Sequence, residues 1–164
     1  MPMTRRNIIA GVVVAVSLVA TNVARAGEQK PTARAAAAGA KTPEEALRRF
    51  MLGVMVGDEK ELKSVITDTR PEDLRWLLGS KVPPEVVPQL RKDLETFPIE
   101  HLKPGDEINL PSGKKIVVGE DWVGEDCATV RMKGDPLAQR VFRIKGEWRV
   151  DPAPIIAARK ATAK

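Results

Sequence analysis

Residues 42–67 read TPEEALRRFMLGVMVGDEKELKSVIT, and two helix starts are written into them. Thr42 is a capping residue, Pro43 suits the first helical position, and Glu45 completes a capping box. Ala46, Leu47, Phe50, Met51, Val54 and Met55 then recur at three- and four-residue steps, the spacing of one buried helical face. Gly57 stops that helix. Asp58-x-x-Glu61 opens a second, whose apolar stripe is Leu62, Val65 and Ile66.

Working outward, Thr69-Arg70-Pro71-Glu72 predicts a third helix that carries Leu74, Leu77 and Leu78 up to Gly79. Residues 82–88, VPPEVVP, interrupt the chain, and a fourth helix is expected to start close to Pro88 with Leu90, Leu94 and Phe97 inward. Beyond Pro98 the apolar spacing changes to short alternating runs. Strands are predicted at 99–102, 107–110, 114–119, 126–133, 139–145 and 148–151, separated by Gly, Pro and Asp turns. Helices followed by an antiparallel meander is the order of an α+β domain, and no internal repeat is present. On the 126–133 strand, Ala128, Val130 and Met132 share the core face, while Cys127, Thr129, Arg131 and Lys133 share the other. In the last hairpin a two-residue turn at Gly146-Glu147 sets Ile144 opposite Arg149 and mixes the faces. A three-residue connection over 145–147 pairs Ile144 with Trp148 and Phe142 with Val150, which keeps one face apolar and is the expected register. That register also sets Arg143 opposite Arg149.

The segment 42–67 resembles the opening of nuclear-transport-factor-2-like domains, with their capped first helix, inner-face aromatic and Gly-Asp step into a second helix. The closing VFRIKGEWRVD at 141–151, with Gly146-x-Trp148-x-Val150, resembles the final hairpin of the same superfamily. The resemblance covers the two ends of residues 42–158. It implies a cone-shaped α+β fold whose curved, mainly antiparallel sheet wraps the helices and leaves room for a pocket. The superfamily, with its ketosteroid-isomerase-like and polyketide-cyclase-like members, holds isomerases, cyclases, dehydratases and non-catalytic proteins, so the implied fold carries no reaction with it. Its isomerases use a carboxylate base with tyrosine and protonated-aspartate donors, and this chain has no tyrosine. Its dehydratases commonly rely on a His–Asp pair. The one histidine here, His101, stands alone before the turn Lys103-Pro104-Gly105, and its ordinary reading is a partly exposed structural residue. Asp126, Asp135 and Asp151 sit at strand or turn ends, where turn chemistry already accounts for them. No catalytic residue is singled out.

The 164 residues suit one domain, and their formal net charge of +5 with a pI near 9.5 raises the question of nucleic acid. The position of the charges answers it. Residues 1–26 read as a secretory signal peptide: Arg5 and Arg6, an apolar run over 8–23, then the small-x-small pattern Ala24-Arg25-Ala26. An uncleaved anchor is the competing reading, and the run is short for a membrane span. Thr4-Arg5-Arg6 followed by Ile8-Ile9 fits both a twin-arginine signal and an ordinary positive start. Residues 27–41, GEQKPTARAAAAGAK, are expected to be a flexible Ala-rich linker, and 159–164 a basic tail. Between them, residues 42–158 hold 18 basic and 21 acidic side chains, a net −3, so no nucleic-acid partner is expected. One cysteine and one histidine exclude an internal disulfide, a multi-cysteine zinc site and a His-rich metal cluster, and neither metal nor cofactor is expected.

The expected function is an exported, secreted or periplasmic, non-catalytic binding or scaffolding domain, with membrane contact only through the export signal. Its partner is a small ligand or a protein, and a homodimer is one option. The alternative is a pocket enzyme of the isomerase or cyclase type with an unassigned Asp or Glu base. Phe50, Met51, Trp76 and Trp148 are the candidate pocket lining, with Trp148 on the core face of the last hairpin. Trp122, in the loop Gly119-Glu120-Asp121-Trp122-Val123-Gly124, is either a contact residue or folded back on the domain. Arg131, Lys133, Arg143, Lys145 and Arg149 are expected to share the off-core sheet face. They form either a solvated or dimer face, or a docking face for an anionic polymer or acidic partner.

Overall fold

The computed structural model describes residues 39–79, 82–109 and 113–163. The export-signal reading of residues 1–26, the linker up to Ala38, Leu110 in the second predicted strand, and Lys164 lie outside the described residues.

The first helix, α1 (Pro43–Val56), starts as its sequence dictates. Thr42 is extended, its side chain accepts the Glu45 N–H at 3.1 Å, and Glu45 reaches back to the Lys41 N–H at 2.8 Å. Gly57 closes it at φ 72°, a conformation open to glycine. Its inward face is rotated from the expected one: Leu52 and Gly53 join Ala46, Leu47 and Phe50 in the core, whereas Met51, Val54 and Met55 are half-buried. The cause is α2 (Glu59–Val65), capped by Asp58, which folds back over Gly53. A Cβ on Gly53 would stand 2.8 Å from the Leu62 Cγ, so this close approach requires glycine.

The third predicted helix is a single turn, α3 (Pro71–Leu74), continued as turns that still bury Leu77 and bring the Gly79 N–H to the Val54 carbonyl. After a 3-10 turn (Pro84–Val86) comes α4 (Val87–Thr96), with Leu94 buried. The Arg48 guanidinium on α1 donates to the Leu94 and Phe97 carbonyls at 3.0 and 3.2 Å, capping the C-terminal end of α4.

The six strands are β1 (Ile99–Leu102), β2 (Glu107–Asn109), β3 (Lys115–Val117), β4 (Cys127–Met132), β5 (Gln139–Ile144) and β6 (Glu147–Val150). They do not form the single meander expected from sequence. The described strands give an antiparallel sheet in the order β1-β4-β5-β6, and β2 pairs with β3 as a separate ribbon. Leu102, Ile108 and Val118 form a small second core where that ribbon meets β1. The class is α+β. As expected, Ala128, Val130 and Met132 are buried; together with Val141 and Val150 they line the sheet face covered by α1.

The last hairpin differs from its expected register. Its turn is Lys145-Gly146, with φ 53° and 82°, both left-handed as in a type I′ turn. Ile144 therefore faces Glu147, Arg143 faces Trp148, Phe142 faces Arg149, and Val141 faces Val150. The gain is the last pair: Val141 and Val150 meet with no exposed surface. Along the outer edge of β6, the Trp148 N–H donates to the Ala40 carbonyl at 2.8 Å, and the Thr67 N–H to the Val150 carbonyl at 3.0 Å. The predicted linker thus enters the fold at Gly39, with Ala40 fully buried. The predicted basic tail also folds: α5 (Ala153–Thr162) takes up Arg159 and Lys160.

Lysine is an uncommon residue at a left-handed position, whereas Asn-Gly is a favoured type I′ pair. Lys145→Asn is therefore expected to raise the unfolding free energy by about 0.5–1 kcal/mol, and Lys145→Val to lower it by a similar amount. Urea denaturation of the two variants reads this, and equal midpoints would count against the observed turn.

Candidate functional site

The four residues expected to line one pocket are dispersed. Phe50 is 1% exposed in the core beneath the sheet, and Met51 is half-buried beside it on α1. Trp148 stands on β6 between Arg143 and Ala40. Trp76 lies in the turns after α3, with Arg75 5.4 Å from its ring centre and its buried Nε1 without a hydrogen-bond partner among the described residues. None of the four is in the lining of the cleft described below.

The five cations expected on one face are divided by the observed register. Arg131 and Arg149 do lie on the face away from α1, each beside a carboxylate: Glu100 at 2.8 Å and Glu147 at 3.2 Å. Arg143 pairs with Trp148 on the opposite face, Lys145 occupies the turn, and Lys133 follows β4 in an exposed turn. Arg143 and Arg149 do not oppose one another. A single basic docking face is therefore not assembled from these residues.

Trp122 folds back on the domain. Its ring packs on the Leu102–Ile108–Val118 cluster with Arg140 5.3 Å above it, and its carbonyl accepts the Thr129 hydroxyl at 3.0 Å. Beside it, burial pushes the Cys127 thiol up; Arg140 opposes the shift and Asp121 adds to it. A thiol held protonated is a poor nucleophile. His101, half-exposed at β1, meets Glu44 in the first turn of α1. Burial pushes the Glu44 carboxyl up, but its own backbone N–H, His101 and Thr42 outweigh this and leave it below its ordinary value.

Among the described residues, a cleft lies elsewhere, between residues 67–70 and α5, with a volume of about 350 Å³. It arises where two segments part company. Ile66 and Thr67 are bonded to Val150; Thr69 and Arg70 then turn towards α3, while Asp151 and Pro152 turn into α5. Pro152, Ala153, Ile156 and Ala157 supply an apolar wall. Thr67, Thr69, Asp68, Arg70, Asp73, Asp151 and Lys160 supply polar groups.

Most of those charges are already matched. The Lys160 ammonium donates to Asp73, and Arg70 donates to the same carboxylate at 2.9 and 3.1 Å. Lys160 lowers the Asp73 pKa, burial opposes this, and Arg70 adds to the lowering. Asp151 accepts from Arg140 at 2.9 Å and from the Ala153 N–H at 3.1 Å, which ties β5 to the start of α5. At the far end of α5, Arg159 donates to the Trp76 and Leu77 carbonyls at 2.7 and 3.1 Å. Half-burial lowers its pKa. Chemically the arrangement offers hydroxyls, an apolar wall and ion-paired carboxylates, a set suited to holding a ligand.

The sequence does not mark this site as a unit, although one signal is present. Asp151-Pro152-Ala153-Pro154 before Ile155-Ile156, with Arg159-Lys160 in the following turns, is a helix start and a cationic helix end. Among the described residues no helix is long and apolar enough to cross a membrane. No family model, curated protein or solved structure matches this chain.

A carboxyl whose folded-state pKa is depressed contributes stability that is complete above its unfolded pKa and is lost as pH falls through the folded one. For Asp73 that loss begins below about pH 4. Thermal unfolding followed from pH 7 to pH 2 is expected to show a shallower acid-side decline in Asp73→Asn than in the parent chain. Parallel profiles would show that Asp73 is not stabilised by Lys160 and Arg70.

Proposed function

We propose that this chain is an exported, non-catalytic binding domain, secreted or periplasmic, that seats a small ligand in the cleft between residues 67–70 and α5. The observation that carries the reading is the state of two of the three carboxylates that line the cleft. Asp73 is held ionised by Lys160 and Arg70, and Asp151 is occupied by Arg140 and the Ala153 N–H. A base that works near neutral pH needs a carboxyl whose proton affinity is raised, and Asp73 is shifted the other way. Matched charges instead orient a polar ligand group against the hydroxyls of Thr67 and Thr69, while Ile156 and Ala157 meet its apolar part.

The export part of the reading rests on the pattern of residues 1–26. Kinship with nuclear-transport-factor-2-like domains belongs to the same proposal. Two capped helices in series, followed by antiparallel strands closing on Gly146-x-Trp148-x-Val150, support it.

The competing reading, an isomerase- or cyclase-type enzyme, draws on Asp135, a carboxyl that burial pushes upward. Asp135 accepts the Leu137 N–H at 2.8 Å in the turn between β4 and β5, and it does not line the cleft. That bond favours the structural role.

The test is a fragment screen read by amide and methyl NMR shifts on the full chain. Hits are expected to move Thr67, Thr69, Ala153, Ile156 and Ala157 together, and Ala157→Trp, at an exposed position of the wall, is expected to abolish those shifts. Hits that move other regions, or that bind Ala157→Trp equally well, would count against the cleft as the site.

A further inference from the structure

The attachment of α5 is unusual for a helix that forms the wall of a cleft. An isolated ten-residue helix is marginal in water, so α5 persists through what it touches. Its apolar anchorage is thin: Ile156 and the capping Pro152 are buried and Ile155 half-buried, whereas Ala153, Pro154, Ala157, Ala158 and Ala161 are exposed. The remainder of its hold is polar and sits near the far end. Lys160 reaches Asp73, and the Arg159 guanidinium donates to the Trp76 and Leu77 carbonyls. At the near end, Pro152 and the Asp151 bond to the Ala153 N–H mark where the chain leaves β6.

These contacts differ in kind from those of the sheet. Polar groups released from such a latch are taken up by water, so opening costs little beyond exposing Ile156 and the half-buried Ile155. Closing carries the cost of half-burying the Arg159 charge, which shows in the lowering of its pKa.

We propose that α5 is a hinged strap over the cleft, pivoting at Asp151-Pro152, seated by Ile156 and latched by Lys160–Asp73 and Arg159. Its undocking opens the wall formed by Ala153, Ile156 and Ala157 and so governs entry to the site. What the strap governs rests on the cleft being the binding site. The motion itself does not, and it is measured without ligand.

The experiment is residue-resolved hydrogen exchange on the full chain, comparing amides of α5 with those of Val130 and Val141. In the parent chain the α5 amides are expected to exchange at least about tenfold faster than the strand amides. Asp73→Asn and Lys160→Gln, each removing one side of the latch, are each expected to speed α5 a further roughly three- to tenfold, with the α5 rates staying above the strand rates and responding little to low urea. Exchange of α5 in step with β4 and β5 would overturn the strap, and so would α5 rates that neither variant alters. α5 rates that rise with urea as steeply as those of the strands would also overturn it, because α5 would then open only with the whole fold. Failure of the fragment screen leaves this result standing, and failure here leaves the cleft intact as a binding site with a fixed wall.

Discussion

The structure depends on β6 being hydrogen-bonded along both edges. A strand closing a sheet leaves a row of unpaired N–H and C=O groups, and these must be satisfied or shielded. Here β5 takes one edge, and two distant pieces of chain take the other: Ala40 at Trp148, and Ile66–Thr67 at Val150. Each piece leads directly into or out of a helix. Ala40 precedes the Thr42 cap of α1, and Ile66 ends α2. The edge bonds therefore fix where the helical layer begins and ends against the sheet. Val141, Val150 and Ile66 are buried at that junction, so hydrogen bonding and apolar contact act on the same residues.

The cleft follows from the same constraint. Val150 holds residues 66–67 on one side and passes the chain to Asp151 on the other, and the two segments diverge immediately afterwards. The space between them is walled by α5 and floored with charges from α3 and from residues 67–70. Most of those charges are matched locally. Lys160 and Arg70 share Asp73, while Arg140 and a backbone N–H share Asp151. Partly shielded pairs of this kind favour orientation over proton transfer, which is the physical basis of the proposed binding role.

Local chemistry was legible in the sequence; what depends on pairing was not. The caps at Thr42 and Asp58, the stop at Gly57 and the inward side of β4 all rest on neighbours within a few residues, and the structure reproduces them. The face of α1 was displaced because Gly53 is covered by Leu62, an approach that helical spacing does not encode. The register of the last hairpin turned on Lys145 adopting a left-handed conformation that lysine seldom takes, so an apolar match of Ile144 with Trp148 looked better than it is. One residue of slip then dispersed the expected cationic face. The cleft was hidden because its two parts stand far apart in the chain and are brought together by the Thr67–Val150 bond and by the contacts of Arg159 and Lys160. Arg159 and Lys160 look like the start of a basic tail, since nothing near them in sequence names the carbonyls of Trp76 and Leu77.

The junction at β6 can be observed bond by bond. Scalar couplings transmitted across hydrogen bonds identify which carbonyl each amide engages. A coupling is expected from the Trp148 N–H to the Ala40 carbonyl, and another from the Thr67 N–H to the Val150 carbonyl. Trp148 and Thr67 amides that show neither coupling, and that exchange with water as fast as those of the Lys145-Gly146 turn, would contradict this junction.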